Sequence, residues 1–398
     1  MMRRRLALVA VAAALVLAPA SARAYVRSTA SAVNPTPIAW DLANSGTVLT
    51  NVSAGEVSFR LHPLGSADVT DGSDLEAVER AFRNWTGVSG SSLAFTRGAD
   101  STTTTTLFDE EFPVFWTETS TVIDQGTPST EDDVSVAGAL AVTFTYRYTD
   151  GGETGEIVDS NIVFNGVDYL WTADPATYPD RYDIESVATH EIGHALGLDH
   201  SPVAAATMFP RTAAGQTGAR SLSPDDVAAV RAAYPGGNTT ASRGAVQGVL
   251  SDGAPLFGGI VWAVDENGVV AGQTLSRVYG TYSIEPLRPG DYQIFARPVS
   301  DAGSFYLFGV ANLGPYYSGL NRSFHTSKGD PARVTAGGVD TVDVTALSGT
   351  PPMDVLLIGR SGWFTNRGTA LRRGESGVTI AVAGPGLPSF GATMSVSG

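Results

Sequence analysis

An α+β domain over residues 25–236, followed by all-β sandwich modules, is the fold that the sequence predicts for this chain of 398 residues. Between Tyr25 and Pro235, helical spacing of apolar residues alternates with short strand-like runs. At Pro235-Gly236-Gly237 that mixture stops. From Ala245 to Leu347 the texture is different again: short alternating runs punctuated by Gly, Pro and Asp, with no helical pattern of useful length. At about 150 residues per domain, the length suits two to three domains.

The chain opens with a leader pattern. Arg3, Arg4 and Arg5 precede an apolar run from Leu6 to Leu17, and Ala22-Arg23-Ala24 then supplies the small-x-small pattern cut by signal peptidase. The run is too short for a spanning helix, which needs about 20 residues. Residues 1–24 therefore read as a secretory signal, and the protein as secreted, to the extracellular medium or the periplasm. No later segment is apolar enough to span a membrane.

The elements follow in order. Val57 to Leu61 alternates as a strand. Leu75, Val78, Ala81, Phe82 and Trp85 recur at helical spacing over 74–85, with Ser73 as the expected cap. Leu93 to Phe95, Val114 to Trp116, Leu140 to Phe144 and Ile162 to Phe164 read as strands, with Ser101 to Thr106 a solvated loop. Asp183 to Leu198 is the strongest helix. A last helix starts at Ser223, with Pro224 at its first position and Asp225 and Asp226 in its first turn, and ends at Tyr234. Residues 237–243 form the linker and 244–348 the β-sandwich, with strands at 245–250, 259–264, 282–284 and 292–296. Residues 349–398 add further short strands, too few for an independent module of ordinary size.

Composition removes several function classes. There are 40 acidic against 25 basic residues, a net charge of -15 and only one lysine, Lys328. Nucleic acid is an unsuitable partner for such a surface, because binding rests on Lys and Arg neutralising phosphates. The absence of cysteine excludes disulfides, thiolate nucleophiles and thiolate-bound metals.

The chemistry is concentrated in His190-Glu191-Ile192-Gly193-His194, followed by Gly197 and His200. Residues i and i+4 share one helix face, so His190 and His194 can reach one zinc ion. Glu191 stands beside the first ligand, placed to contact a water without occupying the metal. Gly197 allows a sharp turn through positive φ, which returns His200 as a third ligand. Three protein ligands leave one coordination position open, the arrangement of a catalytic zinc. The spacing assigns His190, His194 and His200 as metal ligands for one catalytic Zn2+ and Glu191 as the catalytic base. A lone histidine would more often be a satisfied core or cap residue; the joint pattern of three is improbable by chance.

These residues resemble the metzincin metalloendopeptidases, and within them the matrixin family. Ser201 follows the third histidine as in matrixins, and Ala206-Thr207-Met208-Phe209-Pro210 resembles their Met-turn. Asp159 to Asn165 resembles the edge strand along which substrate aligns, Asp183 to Thr189 the approach to the zinc helix, and Leu222 to Tyr234 the closing helix. The likeness covers about residues 36–236. It implies a mixed, mostly parallel twisted sheet with a zinc-site helix, and protein or peptide substrates. Three departures stand out. There is no cysteine for a thiol latency switch, and only His62 and His325 remain for a second zinc. Arg211 and Thr212 stand where a pocket-lining tyrosine is common. Calcium is common in the family, but Asp150, Glu153 and Asp159 are its only hint here, and such loops are ordinarily solvated.

The region after the linker resembles carboxypeptidase-regulatory-like, transthyretin-type sandwiches through Gly280-Thr281-Tyr282-Ser283-Ile284 and Leu287-Arg288-Pro289-Gly290-Asp291-Tyr292. This implies a spacer or a module that binds a protein or cell surface. Trp262, Tyr316 and Tyr317 offer a binding face, although core packing is the commoner fate of such aromatics. The expected function is a secreted zinc endopeptidase. The alternatives are an HExxH peptidase of another class, disfavoured by His200 and Met208, and a non-catalytic adhesive surface protein with a degenerate peptidase domain. Asn51, Asn84, Asn238 and Asn321 fit the glycosylation sequon.

Overall fold

The computed structural model describes residues 25–31, 34–45, 48–131, 133–201, 206–237, 242–266, 270–277, 279–298, 324–325 and 327–348, and four strands at 354–358, 364–365, 378–383 and 390–394. Residues 1–24, expected to be a leader, and Asn238, Tyr316, Tyr317 and Asn321 lie outside the described residues. No described helix is long and apolar enough to cross a membrane.

In chain order, the elements that position the site begin with β1 (Val26–Arg27), β2 (Ala39–Trp40), β3 (Val52–Ser53), β4 (Glu56–Leu61) and α1 (Ser73–Thr86). They continue with β5 (Ala94–Arg97), β6 (Pro113–Thr117), β7 (Ala141–Arg147) and β8 (Glu156–Asn165). Last come α2 (Ile184–Ala195), β9 (Leu198–Asp199) and α3 (Pro224–Ala233). Seven strands make one mixed sheet, ordered β7-β8-β6-β4-β3, with β2 also on β8 and β5 on β4. The β7/β8 and β3/β4 pairs are antiparallel and the other four parallel.

Alternation on β4 turns Val57, Phe59 and Leu61 inward. They meet the apolar stripe of α1, where Ala77, Val78, Ala81, Phe82 and Trp85 are all buried. Each large apolar side chain so buried stabilises the fold by about 1.5–3 kcal/mol. Phe59 stacks on Phe82, and Phe95 and Phe112 close the aromatic cluster edge-on. The capping of α1 differs from expectation. Gly72 occupies the cap position at φ 81° and Ser73 is the first helical residue. The Asp71 carboxylate accepts from the Ser73 amide and hydroxyl, at 3.0 and 2.6 Å, so an acid two residues earlier does the work assigned to the serine. The 101–106 loop is not simply solvated either. Ser101 and Thr106 are buried, because the Ser101 amide extends the sheet's bonding to Leu61 O and the Thr106 amide donates to Gln125 Oε1.

Beyond the linker, Gly244–Ser251 pairs with Thr281–Leu287 and Val339–Thr341 in one sheet, while Gly259–Asp265 pairs with Val270–Leu275 and Gly290–Pro298 in another. Residues of both sheets share one core, including Val246, Leu250, Val261, Ile284 and Ile294. Trp262 is buried among Ile260, Val264 and Leu275; it packs and offers no binding face. The strands after 349 form a four-stranded sheet.

Candidate metal centre

The start of α2 is fixed by polar chemistry. Asp183 caps the helix, accepting from the Ser186 amide at 3.0 Å and hydroxyl at 2.6 Å. Arg220 donates to the same carboxylate through two nitrogens, at 2.6 and 2.8 Å. One orphan amide of the first turn, that of Ser186, is thus satisfied. The far end is held by two buried donors, Trp40 Nε1 to Ala195 O and Tyr234 Oη to Leu196 O, both at 2.9 Å. The helix ends at Ala195 and not at Leu198. Gly197, at φ 84°, reverses the chain where a Cβ would lie 2.4 Å from the Ile38 carbonyl oxygen. Leu198 and Asp199 then pair with β1, because the reversal points them along that strand.

This short return strand brings His200 back to α2. The Nε2 atoms of His190 and His194 are 3.1 Å apart, and those of His194 and His200 3.2 Å. Ligands at 2.0–2.1 Å around a tetrahedral zinc are separated by about 3.3–3.4 Å, so the donor set fits that ion. Backbone carbonyls fix the rings from behind: Thr207 O lies 2.7 Å from His190 Nδ1 and Leu198 O 2.9 Å from His194 Nδ1. Such contacts place the free lone pair on Nε2. Burial, then the neighbouring His194 and His200, hold His190 well below the usual imidazole range, which keeps it in the neutral form that metal binding requires. Burial pushes Glu191 up, opposed by His194 and by a hydrogen bond from Thr143.

The floor of the site is a second loop. Met208 is buried, and a Cβ at Gly193 would sit 2.2 Å from its sulfur; within the motif only glycine leaves room for it. Two adjacent acids of α3 clamp this loop. Asp226 accepts from the Thr207 and Met208 amides at 2.9 and 3.3 Å, and Asp225 from the Ser201 hydroxyl at 2.7 Å.

Two cavities flank the histidines. One, of about 410 Å³, is lined by Leu140, Ala141, His190, Glu191, Arg211 and Thr212. The other, of about 390 Å³, is lined by Ser28, Thr143, Glu191, His194 and His200. Glu191 borders both. The strand along the cleft is β7, whose one sheet partner among the described residues is β8. Residues 159–165, expected at the edge, are interior: β8 has β7 on one side and β6 and β2 on the other. Continuous burial along β8 has this cause.

Among the described residues, His190, His194 and His200 are the single group of three or more His, Cys, Asp or Glu side chains close enough to share a metal. Asp150, Glu153 and Asp159 are not gathered into one. His62 stands apart, its Nδ1 accepting from the Leu64 amide.

Residues 51–235 match the family model described as Matrixin. Shorter stretches of the chain resemble individual matrixins. Metalloendoproteinase 5-MMP of Arabidopsis thaliana is 47% identical over 62 residues, 16% of this chain and 17% of that protein. Matrix metalloproteinase-27 of Tupaia belangeri is 36% identical over 104 residues, 24% and 20% of the two chains. Matrix metalloproteinase-19 of Mus musculus is 45% identical over 67 residues, 17% and 12%. The chain thus spans a fifth or less of the length of these relatives.

Within the matrixin domain the structure brings all four sequence-selected residues together. It adds Thr143, Gly193 and Asp226, which sequence reasoning passed over. Asp226 had a signal, an acid three residues after a serine cap, but that pattern does not reveal a second task.

Proposed function

We propose that the matrixin domain makes this chain a zinc-dependent endopeptidase acting on proteins or peptides. The observation that carries the reading is the convergence of three histidines, with His194 Nε2 at 3.1 Å from that of His190 and 3.2 Å from that of His200, beside a buried glutamate in an open cleft. His190, His194 and His200 hold the metal as neutral imidazoles. When bound, zinc supplies Lewis-acid chemistry at the scissile carbonyl and makes a water easier to deprotonate. Glu191 accepts the proton of the attacking water as the carbon–oxygen bond forms. It then delivers that proton to the amine nitrogen as the carbon–nitrogen bond breaks. Its burial, which disfavours the charged carboxylate, suits a group that must both take and return a proton near neutral pH. The edge of β7 supports an extended substrate by strand addition.

The leader pattern supports export to the medium or periplasm. The two sheets with a common core support a carboxypeptidase-regulatory-like sandwich over 244–348 that binds a protein or cell surface.

Glu191→Gln should retain one zinc per chain and lose turnover of casein by at least about 1,000-fold, a loss in the range expected for removing a general base. Casein cleavage by the parent should stop on chelation and return with zinc. A Glu191→Gln variant that cleaves casein at the parental rate rejects the mechanism, and a parent that never cleaves rejects the function.

A further inference from the structure

We infer that Thr143, on the edge strand β7, is a positioning residue that holds the Glu191 carboxylate in its working orientation. The inference rests on the endopeptidase reading above. Along β7 the side chains alternate. Val142 and Phe144 pack against the cluster of Phe115, Ile123, Val136 and Val163, Val142 also bordering the cavity beside Glu191. Thr143 points the other way and lines the cavity that holds Glu191, His194 and His200. Its Oγ1 lies 2.7 Å from Glu191 Oε2 and 3.0 Å from the Glu191 carbonyl oxygen. A hydroxyl has one proton. The contact to Oε2 is the shorter of the two, so the proton is directed at the carboxylate.

Among the described residues no other side chain donates to Glu191. The hydroxyl therefore fixes Oε2 and leaves Oε1 for the water. Strand formation does not explain a threonine here. Valine has the same shape, forms strands at least as well, and would pack without any polar partner. The hydroxyl serves the glutamate.

The test uses the full chain with Thr143→Val, which keeps the shape, and Thr143→Ser, which keeps the hydroxyl. With a fluorogenic casein-derived peptide, Thr143→Val should lose about 10- to 100-fold in kcat, the range seen when an orienting hydrogen bond to a metal-site group is removed, with KM changed less than about twofold. Thr143→Ser should recover kcat to within about threefold of the parent. Both variants should bind one zinc and melt like the parent. Crystals of metal-free Thr143→Val should show the Glu191 carboxylate displaced, and those of metal-free Thr143→Ser should show it in place. Parental kcat in Thr143→Val, equal losses in both variants, or loss of zinc or melting temperature in Thr143→Val would each overturn the inference. A parent chain that cleaves nothing removes the endopeptidase reading and this one with it, an outcome distinct from the other three.

Discussion

Asp159 shows what one residue can do to the pH dependence of the whole domain. It is fully buried on β8, accepting from the Asp109 amide at 3.1 Å and from the Ser160 amide at 2.8 Å. Burial, helped by the Asp109 charge, pushes its carboxyl up to about 7. Its folded pKa thus exceeds the unfolded value of about 3.9, so the folded chain binds the extra proton between roughly pH 4 and 7. Stability from this group is complete below that window and falls as pH rises through it. Asp159→Asn removes the ionisation. It should raise stability at pH 8 by up to about 4 kcal/mol while changing it little at about pH 4, below the window. Thermal melts at the two pH values decide; an equal shift at both would show that the carboxyl does not titrate in this window. The sequence offered Asp159 as a weak calcium hint, because burial is invisible when an acid sits beside glycine-rich loops.

At the scale of elements, the amino end of α3 acts as a clamp on the metal centre. Ser223 and Asp226 form a capping box, and Asp226 also holds the amides of Thr207 and Met208. Thr207 O in turn contacts His190 Nδ1. Ser223→Ala removes the serine side of the cap and should cost about 1 kcal/mol. Asp226→Ala leaves four donors without their acceptor and should cost about 3–5 kcal/mol, since hydrogen bonds to charged groups are the stronger ones. It should also weaken zinc binding several-fold, whereas Ser223→Ala should not. Chemical denaturation and zinc competition would measure both; equal effects would reduce Asp226 to a cap. The sequence showed this helix clearly, since cap, proline and acids are local signals. It showed the metal motif for the same reason: i, i+4 spacing and a glycine at the turn are fixed by helix geometry alone. It placed the substrate-side edge on 159–165 rather than 141–147, because strand order depends on which strands find each other across the chain. The run Ile162-Val163-Phe164 carried the familiar residues, but only pairing with β6 and β2 makes β8 interior. Thr143 was hidden likewise, being one threonine in a threonine-rich strand until the fold sets it against Glu191.

For the molecule as a whole, the decisive contact is the seam between the matrixin domain and the strands after the linker. Ala206, directly before the Thr207-Met208 floor of the site, belongs to the same buried cluster as Ile260, Trp262, Val264 and Leu275. Three arginines meet near the same seam: Arg231 of α3 is pushed down to about 10 by burial, then by Arg243 and Arg288. Like charges brought together oppose the association, so the apolar cluster must outweigh them for the two parts to stay docked. Nothing local in the sequence announces this. Ala206 reads as part of a turn and Trp262 as a lone aromatic in a strand, and their meeting is set by how two separately patterned regions stack. If the cluster couples them, the full chain melts in one calorimetric transition, and Trp262→Ala lowers that whole transition, with about 3–5 kcal/mol lost, as for other buried tryptophans. Added salt, by screening the arginines, should raise the transition of the parent modestly. A matrixin-domain transition that stays at its parental temperature while the β-rich part melts earlier would show two independent units, and the metal-site floor would then owe nothing to the strands behind it.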